Sequence, residues 1–193
     1  MSRMVIRADT PWWRIPFHEL WEYRDLLKLL VRRDLTAIYK QTVLGPVWFV
    51  LQPLLTTVVF TIIFGNVANI PTDGVPHFVF YMSGTLFWNY FQGVLNHGAG
   101  SLVNNTNVLS KVYFPRLIIP LSGVFVHFAH LLLNALLFLG FYAWFLIRGS
   151  DMAITSALFL LPLLIIQCAL LGLGFGLWVS SMTIRYRDLR FAL

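Results

Sequence analysis

The sequence predicts an all-α fold: a polytopic helical membrane protein with an N-terminal amphipathic interfacial helix followed by four transmembrane helices. Three observations predict it. First, no Asp, Glu, Lys or Arg occurs from Gln41 to Thr72, Gly74 to Ser110, Leu117 to Ile147, or Met152 to Ile184. Each run exceeds the roughly 20 apolar residues that one helical crossing requires. Second, 58% of the residues are hydrophobic and 11% are charged, against about 25% charged in soluble domains. Third, of the 14 Lys and Arg, all but Arg148 fall in segments on one side of the predicted spans. Basic loops stay on the cytoplasmic side of a membrane, so both termini of this chain are expected to be cytoplasmic. The net charge of +6 then reflects topology and attraction to anionic lipid, and nucleic-acid binding is not expected.

Residues 1–46 form the expected cytoplasmic N-terminal segment. Pro11 and Pro16 oppose a helix at its start, and Trp12 and Trp13 suit a headgroup interface. From 17 to 43 the pattern changes. At 100° per residue Leu20, Tyr23, Leu27, Leu30, Val31, Leu35 and Ile38 share one arc, with Asp25, Lys28, Arg32, Thr36 and Lys40 opposite. Arg24, Leu29 and Asp34 break the rule. Such a helix is too charged to cross, so it lies in the interface, as a plain anchor or as a helix that also docks a partner.

Gly45 and Pro46 end that helix, and the transmembrane domain follows over 47–182. Its first span is expected at about 47–66, kinked at Pro53. A short outer loop with Pro71, Asp73, Gly74 and Pro76 leads to the second span at about 77–97. A cytoplasmic loop occupies 98–116. The third span covers about 118–147, an outer turn surrounds Arg148 to Asp151, and the fourth covers about 153–182. Residues 183–193 form a basic cytoplasmic tail. The first strong apolar run starts near Val43, too late and too long for a cleaved signal peptide. The single cysteine, Cys168, has no disulfide partner within the chain and reads as packing.

Polar groups inside the spans are the candidates for function. Thr85, Asn89, Gln92 and Asn96 recur at spacings of four, three and four, which puts them on one stripe of the second span. Amides cannot face hydrocarbon unsatisfied, so the stripe either bonds other helices or forms one wall of a polar pathway. His127, His130 and Asn134 obey the same rule in the third span. Two histidines at i and i+3 would need further ligands to hold a metal, and no acid lies in the spans to supply one, so no metal is expected. The lack of intramembrane acids also disfavours proton- or cation-coupled transport. Trp88 and the many aromatic residues around it suit lipid or the faces of sugar rings. Gly172, Gly174 and Gly176, with Ser180 and Ser181, read as a close-packing face. Catalysis is not expected. No Gly-x-x-x-x-Gly-Lys-Ser/Thr phosphate loop is present, so the chain is no ATPase by that route. Ser101 and His127 would lie at different depths for a serine–histidine pair.

Several segments read together resemble a known family. Arg33-Asp34-Leu35, Tyr39-Lys40-Gln41, Leu44-Gly45-Pro46-Val47-Trp48 and Gln52-Pro53 resemble the start of membrane subunits of type-2 ABC exporters. The closest likeness is to those exporting O-antigen, capsule or teichoic acid. The segment Asn105 to Pro120, with Val108-Leu109-Ser110-Lys111-Val112-Tyr113-Phe114-Pro115-Arg116, looks like their first coupling segment. Ile184-Arg185-Tyr186-Arg187-Asp188-Leu189 looks like their second cytoplasmic loop. The likeness covers nearly the whole chain and keeps motif order. Such subunits carry six spans, so the family pattern is expected to be truncated here to four.

The resemblance implies a bacterial inner-membrane exporter of lipid-linked polysaccharide, built from two copies of the membrane subunit and two ATPase subunits. ATP and Mg would sit on the ATPase partner, with no cofactor on this chain. The coupling contacts would be Arg32, Arg33, Asn105, Val108, Lys111, Tyr113, Phe114, Arg185, Arg187 and Asp188. The substrate route would be lined by Thr85, Trp88, Asn89, Gln92, Asn96, His127, His130 and Asn134, in contact with membrane lipid and the lipid-linked glycan. The alternatives are a related exporter subunit for drugs or lipids, or a truncated, non-transporting membrane scaffold.

Overall fold

The computed structural model describes residues 17–40, 47–106, 111, 113–150 and 156–183. Among them every regular element is helical. Helix α1 (Phe17–Glu22) continues through Tyr23 into α2 (Arg24–Lys40). Helix α3 (Val47–Phe60) widens into a π-helical segment, Thr61–Val67. Helix α4 covers His77–Asn104 and α5 covers Ile118–Ile147. A 3₁₀ turn, Ser156–Leu160, leads into α6 (Leu161–Thr183).

Neighbouring pairs set the helix directions. Gly65 meets His77, and Thr57 meets Thr85, so α3 and α4 run antiparallel. Tyr90 packs on Phe128 and Phe78 on Phe141, so α4 and α5 are antiparallel too. Gly172 lies against Phe91 and Val94, and Gly176 against Leu95 and Gly98, so α4 and α6 are parallel. The four long helices therefore alternate up and down. Helix α2 and residues 113–119 share one end of the bundle, and Arg148 caps the other, its guanidinium 4.7 Å from the Trp144 ring.

Three of the stretches are long and apolar enough to cross a membrane: Val47–Val67, Ile118–Ile147 and Leu158–Thr183. The remaining expected span, the second, which forms α4, is the exception. Its 28 residues reach about 42 Å at 1.5 Å per residue and carry no formal charge. Asn89, Gln92, Asn96 and His97 make it too polar to qualify on apolarity. Helix α4 instead packs against α3, α5 and α6, which removes much of it from lipid.

Two helix ends differ from the expected span limits. The helix of the second expected span runs on past residue 97 to Asn104, inside the expected 98–116 loop. Gly98, Ala99 and Ser101 are buried there, and burial holds helical a stretch with no proline to break it. The described part of the fourth expected span opens with the 3₁₀ turn, and its α-helix starts at Leu161. Pro162 is tolerated there because the first turn of a helix has no use for its missing N–H. Residues 151–155 lie outside the described ones.

Pro53 does sit inside α3. Around it the hydroxyls of Thr56, Thr57 and Thr61 donate to the carbonyls four residues earlier, at 2.8–3.0 Å. The chain then relaxes into the wider π-helical turns that end with Ala68 N–H donating to the Ile63 carbonyl. The expected small-residue face of α6 divides by side. Gly172, Gly176, Ser180 and Thr183 are buried, whereas Gly174 and Ser181 are exposed. A Cβ on Gly176 would lie 2.8 Å from the Leu95 carbonyl oxygen and 3.0 Å from the Gly98 Cα. Those are backbone atoms with no rotamer to yield. Gly176→Ala is therefore expected to cost roughly 1–3 kcal/mol in detergent unfolding. Gly174→Ala, which meets open space, is expected to be neutral or to stabilise the helix by about 0.5–1 kcal/mol.

Candidate functional site

The described candidate coupling residues lie at the basic end of the bundle. Leu30 of α2, Phe114, Ile118 and Ile119 form a buried cluster, with Leu20, Tyr23, Leu26 and Leu27 packed on it. The apolar arc read from the sequence is thus covered in part by the chain itself. The opposite face of α2 is exposed: Asp25 and Lys28 pair at 3.1 Å, the Arg24 guanidinium stands 5.4 Å from the Trp21 ring, and Arg32 is free of the core. Arg33 binds Asp34 at 2.8 Å. The second carboxylate oxygen of Asp34 is buried without a partner among the described residues.

The expected coupling residues therefore separate into two groups. Arg32, Arg33, Lys111 and Tyr113 are exposed, Tyr113 by 63%. Phe114 is not at the surface: it sits in the core beneath α2, packed with Leu30, Ile118 and Ile119. It links α2 to the start of α5. Asn105 donates to the Ser101 carbonyl at 2.9 Å and closes the end of α4. Val108, Arg185, Arg187 and Asp188 lie outside the described residues.

The expected pathway residues also separate. Gln92, Asn96 and Trp88 lie on the open face of α4, Trp88 by 60%, and Asn89 is half-buried beside them. Thr85 belongs to the same stripe but is buried, because α3 covers α4 at that level. Its hydroxyl donates to the Met82 carbonyl and lies 3.5 Å from the Thr57 hydroxyl. His127, His130 and Asn134 point into the bundle. His130 stacks on Phe49 of α3 with centroids 4.4 Å apart, and Asn134 donates to the His130 carbonyl at 3.0 Å. His127 and His130 meet neighbouring helices, Asn134 bonds within its own, and none of the three shares the open face with Gln92 and Asn96. No group of three or more His, Cys, Asp or Glu able to hold a metal occurs among the described residues.

Beside the stripe lies an open groove of about 470 Å³ lined by Phe60, Phe80, Tyr81, Ser83, Gly84, Thr85 and Trp88. Its aromatic walls and the amides of Gln92 and Asn96 make one continuous face of α4. The sequence reading missed two features here. Tyr81 was only one aromatic among many, yet its hydroxyl is buried with no partner among the described residues. His97, third of a row of imidazoles with His127 and His130, stood at the expected edge of a span and off the stripe of Thr85, Asn89, Gln92 and Asn96.

Comparison with known proteins bears on what this face serves. The profile of the ABC-2 type transporter family matches residues 25–191. Two proteins of Klebsiella pneumoniae named O-antigen export system permease protein RfbA are each 28% identical over 166 residues, 86% of this chain and 61% of the relative. A protein of the same name from Myxococcus xanthus is 34% identical over 117 residues, 60% of this chain and 44% of the relative. The chain spans about three-fifths or less of the length of these curated relatives.

Two outcomes test the assignment of faces. Phe114→Ala is expected to cost about 3 kcal/mol and to loosen α2, read as faster tryptic cleavage at Arg24, Lys28 and Arg32. Cysteine at Gln92 or Asn96 is expected to react with a charged thiol reagent, which needs a hydrated thiolate. Cysteine at Leu136 or Phe159, on the apolar outer faces, is expected to stay unlabelled in the membrane.

Proposed function

This chain belongs to the ABC-2 type transporter family, and we propose that it serves as the membrane subunit of an ATP-driven exporter of lipid-linked polysaccharide in the bacterial cytoplasmic membrane. The observation that carries this reading is its similarity, over 86% of its length, to permeases named for O-antigen export. Two copies would pair with two ATPase subunits, which supply ATP and Mg. The basic end would face the cytoplasm, with both ends of the chain on that side.

The arrangement of residues supports a division of labour. Exposed Arg32, Arg33, Lys111 and Tyr113, with Arg185, Arg187 and Asp188, offer charge and an aromatic ring to a soluble partner. A push on α2 passes through Leu30 to Phe114, Ile118 and Ile119, and so to the first turn of α5. Helix α5 lies along α4, whose open face would line the route. Neutral amides and aromatic rings suit a hydroxyl-rich polymer that must slide, since many weak contacts let it pass where one tight site would hold it. The described residues of that face carry no formal charge that would hold a hydroxyl-rich polymer at one point.

The apolar walls of the groove beside Trp88 favour a second reading, a lipid or drug cargo for the same machinery. Proteoliposomes holding the full permease and its ATPase separate the two. ATP-dependent movement of lipid-linked glycan supports the first reading; movement of an apolar cargo with no glycan transport supports the second and overturns the first. Charge reversal at Lys111 or Arg187 is expected to weaken ATPase binding several-fold in copurification, more strongly at low salt. Unchanged binding in both variants would refute the docking assignment.

A further inference from the structure

Helices α4 and α5 carry the same five-residue pattern, glycine, valine, two variable positions and histidine. It reads Gly93-Val94-Leu95-Asn96-His97 in α4 and Gly123-Val124-Phe125-Val126-His127 in α5. Because the helices are antiparallel, each histidine reaches the other helix's glycine. A Cβ on Gly93 would overlap the His127 ring, 2.7 Å from its Cε1, and a Cβ on Gly123 would overlap the His97 ring and lie 2.9 Å from its Cβ. Each missing side chain makes a notch, and each notch holds an imidazole. The two rings meet edge to face with centroids 6.1 Å apart.

The interlock continues in both directions. His127 meets His130 at 5.5 Å, and His130 stacks on Phe49 of α3. Toward the basic end, the His97 ring lies beside the Ile119 backbone and within electrostatic reach of Asp34 and Arg33 of α2. Ile119 belongs to the same buried cluster as Leu30 and Phe114. A row of packed rings therefore runs from the coupling core into three membrane helices. Sliding α4 past α5 would withdraw both rings from their notches at once, so the two notches resist slip together.

We infer that His97 and His127 form a reciprocal clasp, seated in Gly123 and Gly93, that makes α4 and α5 a single lever between α2 and the open polar face. The clasp itself is a geometric claim; its role as a lever rests on the export reading above. His97 and His127 are positioning residues here, acting through the helices they lock.

Suppression tests the clasp without reference to transport. In the full-length protein in detergent, Gly93→Ala alone is expected to lower the unfolding midpoint by about 5 °C, as overpacking does. Adding His127→Ala empties the notch and is expected to restore most of that loss, so the pair is strongly non-additive. Gly123→Ala and His97→Ala are expected to behave alike. Strictly additive losses in both pairs would overturn the clasp. The lever is tested in proteoliposomes with the ATPase partner. The double variant His97→Ala/His127→Ala is expected to keep ATP turnover and lose at least most of its glycan movement. Loss of turnover and movement in equal measure, or retention of both, would overturn the lever. A wild-type complex that moves no glycan would sink the export reading and leave the suppression result intact.

Discussion

The close approach of α4 to its neighbours is the constraint on which the rest of the molecule depends. An uncharged helix with amides and histidines along it cannot be wrapped in hydrocarbon, where each unmet polar group costs free energy. Glycine solves the packing on two sides. On one side Gly172 and Gly176 let α6 rest directly on the α4 backbone. On the other, Gly93 and Gly123 admit imidazole rings from the facing helix. Two sides of α4 are thus sealed by protein, and the amides that remain collect on the one face left open.

That sealing also decides how motion can travel. Helix α2 is not a free anchor, since Leu30 is buried with Phe114, Ile118 and Ile119. The same face that looked suited to lying on lipid is joined to the first turn of α5. Packed interiors transmit displacement because they hold few voids to absorb it. At the far end of α3 the backbone leaves the α-helical hydrogen-bond pattern for π-helical turns over Thr61–Val67, and Asn69 and Asp73 take left-handed conformations in the connection to α4.

The polar side chains divide by what surrounds them, not by residue type. Thr85 and Gln92 lie on one stripe, yet α3 covers the first and leaves the second open. His130 and Asn134 follow the spacing rule as well as the amides of α4 do, yet His130 stacks on Phe49 of α3 and Asn134 bonds back to its own helix. Groups of one chemical kind therefore do different work along the same few turns.

The charge-free runs, the basic asymmetry and the helical period were enough to read an all-helical membrane protein with an amphipathic leading helix and a third span at 118–147, because the solvent alone imposes those patterns. The ordered motifs near Arg33, Gly45 and Lys111 were enough to point to the family. The ends of α4 and α6, the burial of Phe114 and the sorting of Thr85, His127 and His130 away from Gln92 and Asn96 were decided only by tertiary structure. Spacing places a residue on a face of its helix, but which neighbour covers that face depends on contacts between positions distant in sequence. The notches at Gly93 and Gly123 belong to this second class. Two copies of a short pattern acquire meaning only once antiparallel packing brings each histidine to the other's glycine.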